Sequence, residues 1–234
     1  MQTDVTARIV RTADFAVEAA DFILGKIRAG LAGGGVFRLA LSGGNTPRAI
    51  HAEMVRRAGD LPWNRVQFTF GDERCVPPDD AESNYRMARE SLFDPLATPA
   101  GNIFRMRGEI DPENAAREYE AQLAAFASRF SEVRYVHDLI LLGMGPDGHT
   151  ASLFPESPAL EETSRNIVPV IGPKPPPQRL TMTFPMLNAA RHVCFLINGA
   201  DKLPLVESIV AGQGALPAAR VRPTNGALTW IVGG

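Results

Sequence analysis

Strand and helix signals alternate along the whole chain, which predicts an α/β fold: a doubly wound, mainly parallel sheet with helices on both faces. Three observations carry that expectation. The apolar run VFRLAL at 36–41 leads through a glycine pair into PRAIHAEMVRRAG, whose apolar residues Ile50, Met54 and Val55 recur at helical spacing. VQFTF at 66–70 then alternates as a strand does, completing a strand–helix–strand unit. DLILLGMG at 138–145 has almost no polar alternation, as suits a strand covered on both faces.

The remaining elements follow in order. A first helix starts at Asp14 and carries Phe15, Ala19, Phe22, Ile23 and Ile27 on one face until Gly30 and the glycines at 33–35 break it. After VQFTF come a helix in SNYRMARESL, a short strand at NIFRM, and a helix entered through Asp111 and Pro112, with Tyr119, Leu123 and Phe126 facing inward. Beyond the 138–145 strand, NIVPVI, RLTMTF, HVCFLING and LTWIV read as strands, with helices near 185–190 and 202–211. GPKPPPQR at 172–179 is proline-rich but too tightly flanked by strands for a linker, so it is a stiff loop. The whole of 1–234 is expected to form one domain of Rossmann-like layout.

Composition narrows the function classes. The formal charge is −2, from 24 basic and 26 acidic residues spread along the chain, so neither nucleic acid nor an anionic membrane is an expected partner. No apolar run reaches the ~18 residues of a membrane span, and no secretory leader pattern opens the chain. Cys75 and Cys194 are the only cysteines and form no CxxC pair, so reduced thiols and a soluble, cytoplasmic protein are expected, as a monomer or small homo-oligomer.

Ligand crevices in such sheets lie beyond the carboxyl ends of the strands, and three polar loops fall there. In LSGGNTPR, Ser42 precedes Gly43 and Gly44, which let backbone approach an anion; Asn45 follows, Thr46 is placed to cap the next helix and Pro47 to open it. The same composition also describes an ordinary tight turn, but as a seat it fits one phosphate group, since neither the triphosphate nor the dinucleotide glycine pattern is present. Asp72, Glu73 and Arg74 leave the VQFTF strand together; they are either a solvated loop or a set that holds sugar hydroxyls beside an anionic oxygen. GMGPDGHT presents Asp147 and His149, a proton acceptor with a carboxylate two residues away to orient it. Arg179 and Lys202 stand at loop exits that could face the same crevice. His51, His137 and His192 have no metal-ligand spacing, so no metal site is expected.

The segments LSGGNTP, FGDERCVP with SNYRMA, DLILLGMGPDGHTASLFP, KPPPQRLTMT and INGADK together resemble the 6-phosphogluconolactonase family, of the sugar-phosphate isomerase fold type, from about residue 10 to Trp230. The resemblance implies hydrolysis of 6-phospho-D-glucono-1,5-lactone to 6-phosphogluconate in the oxidative pentose phosphate pathway, without a metal or an organic cofactor. It implies that Gly43, Gly44, Asn45 and Thr46 cradle the phosphate with Arg179 and Lys202, that Asp72 and Arg74 line the lactone end, and that His149 is the general base beside Asp147. Glucosamine-6-phosphate deaminase/isomerase is the rival of similar fold. That family carries a glutamate five residues after the histidine, where this chain has Phe154, which cannot carry a proton. A non-catalytic sugar-phosphate sensor is the alternative from another class.

Overall fold

The computed structural model describes residues 7–213 and 215–234. Its centre is a six-stranded sheet, parallel throughout, built from β1 (Arg8–Thr12), β2 (Phe37–Leu41), β3 (Val66–Phe70), β5 (Leu139–Leu142), β8 (His192–Asn198) and β9 (Ala227–Gly233) in the order β1-β9-β8-β5-β2-β3. A smaller antiparallel sheet, β4 (Asp72–Arg74), β7 (Gln178–Met182) and β6 (Ile167–Ile171), sits beside it.

Strand side chains alternate between two apolar layers. Leu39, Leu41, Leu139 and Leu141 point into the layer shared with α1 (Phe15–Leu31) and α2 (Asn45–Arg57). Ile140 and Leu142 point into the other, shared with α4 (Pro112–Ser128), α5 (Phe184–Asn188), α6 (Leu203–Val210) and the small sheet. Residues buried on both faces explain why β5 reads as an unbroken apolar run.

The winding direction places the crevice. From β2 the chain passes through α2 to β3 on one side, whereas β5, β8 and β9 lie on the other, so the order reverses between β2 and β5. These two strands pair only at Leu39–Leu139 and Ala40–Ile140, and the loops after them open a gap. Beyond β3, Gly71 donates to Leu41 O at 3.0 Å and accepts from Met182 N at 2.8 Å, turning the chain out of the large sheet and into β4 at the mouth of that gap.

Several local expectations change. Asp72–Arg74 is a strand rather than a loop, because β7, more than 100 residues later by sequence position, supplies its partner. NIFRM makes only the bridge Ile103–Phe68 and one bond from Phe104 N to Phe68 O, at 2.8 Å, so it is an edge contact and not a strand. β1 carries too little burial contrast to stand out in sequence and is fixed by pairing along β9. The proline-rich loop closes a hairpin between β6 and β7, with Gly172 N donating to Pro177 O at 2.7 Å. The helix of SNYRMARESL is α3 (Asn84–Ala88), continued by a wider turn through Arg89–Phe93.

Candidate active site

A cavity of about 260 Å³ opens at the switch point between β2 and β5. Ser42, Gly43, Gly44 and Thr46 wall one side, Asp72 and Arg74 another, and His149, Arg179 and Lys202 complete it. Of the residues singled out in sequence, Asp147 lies outside the lining and backs His149 instead. The side chain of Asn45 lies outside the described part of the structure.

The anion loop differs from expectation in one respect. Gly44, not Thr46, is the N-cap of α2, with φ +98°, and the helix begins at Asn45, so Thr46 and Pro47 lie inside its first turn. A residue with a side chain would be strained at that φ, and glycine is free to take it. Among the described residues no side chain caps α2, and no acidic residue lies in its first turn. The first N–H groups of this 13-residue helix, whose opening lines the cavity, therefore meet no carboxylate from their own turn, and the dipole favours an anion there.

The loop after β5 is built around His149. Gly145 N donates to His149 O and Gly148 N to Gly145 O, both at 3.0 Å, closing a turn with Gly148 at φ +77°. The turn folds Asp147 back on the ring, where Asp147 Oδ1 lies 2.5 Å from His149 Nδ1. The carboxylate is the acceptor, so Nδ1 carries the proton and Nε2 is left as the basic atom. Partial burial opposes ionisation of Asp147, yet the bonds from the His149 ring and backbone hold its pKa below the usual range. Gly145 supplies the space: a Cβ there would stand 2.2 Å from His149 Cε1. On the ring's other side lies Phe154, with centroids 4.7 Å apart.

Positive charge converges from two paired strands of the small sheet and a turn. Arg74 and Arg179 face one another across the β4–β7 pair, a like-charge arrangement that is unfavourable until an anion enters. Burial, and next the charge of Arg74, lowers the pKa of Arg179. The Arg179 guanidinium stacks on Phe154 at 5.6 Å, and Arg74 is held by the backbone and carboxylate of Glu82. Lys202, in the turn after β8, reaches Met144 O at 3.5 Å.

Sequence reasoning assigned no role to Asn84 and Ser152, although both touch Asp72. Ser152 Oγ donates to Asp72 Oδ2 at 2.6 Å, and Asn84 Nδ2 donates to Asp72 O at 2.9 Å and Oδ1 at 3.3 Å. Ser152 is three residues beyond His149 and could have been suspected from its loop; Asn84 is brought in by tertiary packing alone.

The other histidines have structural roles. His51 bonds Ser91 Oγ, His137 bonds Thr69 Oγ1 and His192 bonds Thr229 Oγ1, all within 2.9 Å. Burial is the main cause holding His51 and His192 at about 4 and His137 at about 3, against 6.5 in an unfolded chain. The unfolded state therefore takes up protons that the native state refuses, and stability falls as pH drops through 6.5. Glu73 acts oppositely: burial raises it to about 7, so its contribution is full below 4.5 and is lost as pH rises through 7. Three histidines against one glutamate leave the unfolded chain with about two more bound protons near pH 5.5, a loss of about 1.4 kcal/mol per pH unit for each net proton. Urea unfolding at pH 7, 5.5 and 4.5 should show that decline; a flat profile would contradict it. Cys75 is half-buried and its thiol is pushed up to about 11, chiefly by burial, which keeps it unreactive. Among the described residues, no three His, Cys, Asp or Glu side chains come together as a metal site, and no helix is long and apolar enough to cross a membrane.

Residues 11–230 match the family described as glucosamine-6-phosphate isomerases/6-phosphogluconolactonase, which covers nearly the whole chain. The protein belongs to that family. Within it, the chain is 42% identical over 198 residues to a 6-phosphogluconolactonase of Synechocystis, covering 83% of this chain and 80% of that one. It is 41% identical over 203 residues to human 6-phosphogluconolactonase, covering 84% and 78%. The crystal structure of 6-phosphogluconolactonase from Thermotoga maritima superposes with a TM-score of 0.86 at 31% identity, over 97% of this chain and all of that one. The family joins an isomerase and a lactonase branch, and its shared fold is the doubly wound α/β sheet described above.

Proposed function

We propose that this chain hydrolyses 6-phospho-D-glucono-1,5-lactone to 6-phosphogluconate, as a one-domain cytoplasmic enzyme of the oxidative pentose phosphate pathway. The observation that carries this reading is a single cavity in which an oriented histidine and an uncapped helix N-terminus flanked by Arg179 and Lys202 stand together. An anion seat alone would serve a sensor; a base with its supporting carboxylate serves a reaction.

In the proposed mechanism the phosphate occupies the α2 N-terminus, and its binding energy fixes the ring so that the lactone carbonyl lies near His149. Nε2 removes a proton from water, and the remaining hydroxide forms a bond to the carbonyl carbon while the C=O electrons move onto oxygen. Asp147 stabilises the resulting imidazolium through Nδ1–H. Negative charge on the carbonyl oxygen needs donors already in place. The N–H groups of Gly145, Gly148 and His149 are engaged within the loop, so the role falls to Arg74 or to the amides of Gly143 and Met144. Collapse re-forms the carbonyl and breaks the bond to the ring oxygen, which takes the proton from the imidazolium and leaves as a hydroxyl.

Phe154 speaks against deamination. Its ring lies against His149 in a position from which a carboxylate would be needed to assist ring opening, and it offers no proton. The test generates the lactone in situ and follows its opening against the spontaneous background, alongside ammonia release from glucosamine 6-phosphate. Opening above background without ammonia is expected; ammonia release without lactone opening would overturn the reading, and ligand-induced thermal stabilisation with neither activity would favour a sensor.

A further inference from the structure

Gly43 and Gly44 are glycines for different reasons. Gly44 needs its φ of +98°, whereas Gly43 does not occupy the left-handed region. What excludes a side chain at 43 is Asn84: a Cβ there would lie 2.0 Å from Asn84 Oδ1, 2.3 Å from Cγ and 2.5 Å from Nδ2. The amide of Asn84 therefore lies flat against the anion loop, with Nδ2 turned to the backbone and carboxylate of Asp72.

Asn84 is itself rigidly held. It is 2% exposed and opens α3, where its N–H donates to Glu73 Oε1 and that of Tyr85 to Glu73 Oε2, both at 2.8 Å. Ser83 Oγ caps the same turn at Arg86 N. Beyond Asp72 the chain of contacts continues through Ser152 into the loop that carries His149. One buried amide thus stands between the anion seat on β2 and the carboxylate and base loops on the other side of the cavity.

We propose that Asn84 is a positioning residue that fixes the spacing between the phosphate seat and Asp72, so that binding of the remote phosphate is expressed as alignment of the lactone ring. This rests on the lactonase reading above. A spacer of this kind contributes only when both ends of the substrate are engaged, and misplacement by about 1 Å is enough to lower a rate about 100-fold. Asn84→Ala should therefore reduce kcat for the 6-phospholactone by roughly 10- to 100-fold, with KM shifted far less. Opening of unphosphorylated glucono-1,5-lactone, which does not use the seat, should change by no more than about twofold.

Asn84→Asp keeps the shape and the contact with Gly43 but replaces the donor facing Asp72, and should lose the same preference for the phosphorylated substrate. Equal losses on both lactones, in either variant, would reduce Asn84 to a structural residue and overturn the proposal. A melting-temperature cycle reads the contact without activity. Gly43→Ala should destabilise the wild-type background and have little effect in Asn84→Ala, where the Cβ has room; additive shifts would overturn the proposed tie. If the wild type opens neither lactone above background, the functional reading fails, and this cycle still decides whether Asn84 links the two walls.

Discussion

His149→Ala should lower kcat/KM for the lactone by about 100- to 10,000-fold, the range expected when a general base is removed. The loss should fall on kcat, because the anion seat at the α2 N-terminus is untouched, and thermal stabilisation by 6-phosphogluconate should persist. Asp147→Asn should cost less: the amide can still sit beside the ring but no longer stabilises the imidazolium or fixes Nδ1–H as the donor. Gly145→Ala offers an independent check, since its Cβ would collide with the His149 ring and displace the base without removing it. Wild-type turnover in His149→Ala would place the base elsewhere, and none of the other histidines could replace it, since all three are buried and bonded to hydroxyls.

Arg179→Ala and Lys202→Ala should raise KM by about 10- to 100-fold each, the weight of a charge-assisted contact to an anion, with a smaller change in kcat. Arg179 has the larger expected effect. It faces Arg74 across β4 and β7, and that repulsion in the empty site becomes attraction shared by a single anion once substrate is bound. Raising the ionic strength should weaken substrate binding in the wild type and much less so in Arg179→Ala. Initial-rate kinetics at two salt concentrations measure both points; unchanged KM in both variants would remove Arg179 and Lys202 from the proposed seat.

Much of the site was legible because its parts are local in sequence. GMGPDGHT carries strand end, turn glycines, His149 and the carboxylate bonded to it within eight residues, and LSGGNTPR carries strand end, glycine pair and helix start. Each segment dictates its own backbone, so the His149–Asp147 pair and the opening of α2 follow from short-range geometry. The error at Thr46 has the same origin: a threonine before proline is a good cap by propensity, but Gly44 reaches a φ that lets the helix begin earlier.

The sequence alone therefore indicated the alternation of strands and helices, the two loops that meet at the crevice and the local pairing of Asp147 with His149, because periodicity and turn chemistry act over a few residues. Only the tertiary structure decided that Asp72–Arg74 is a strand, that Arg74 faces Arg179, and that Asn84 fills the space left by Gly43. Those contacts join segments about 40 to 100 residues apart, and their energy comes from burial and pairing that no local pattern encodes.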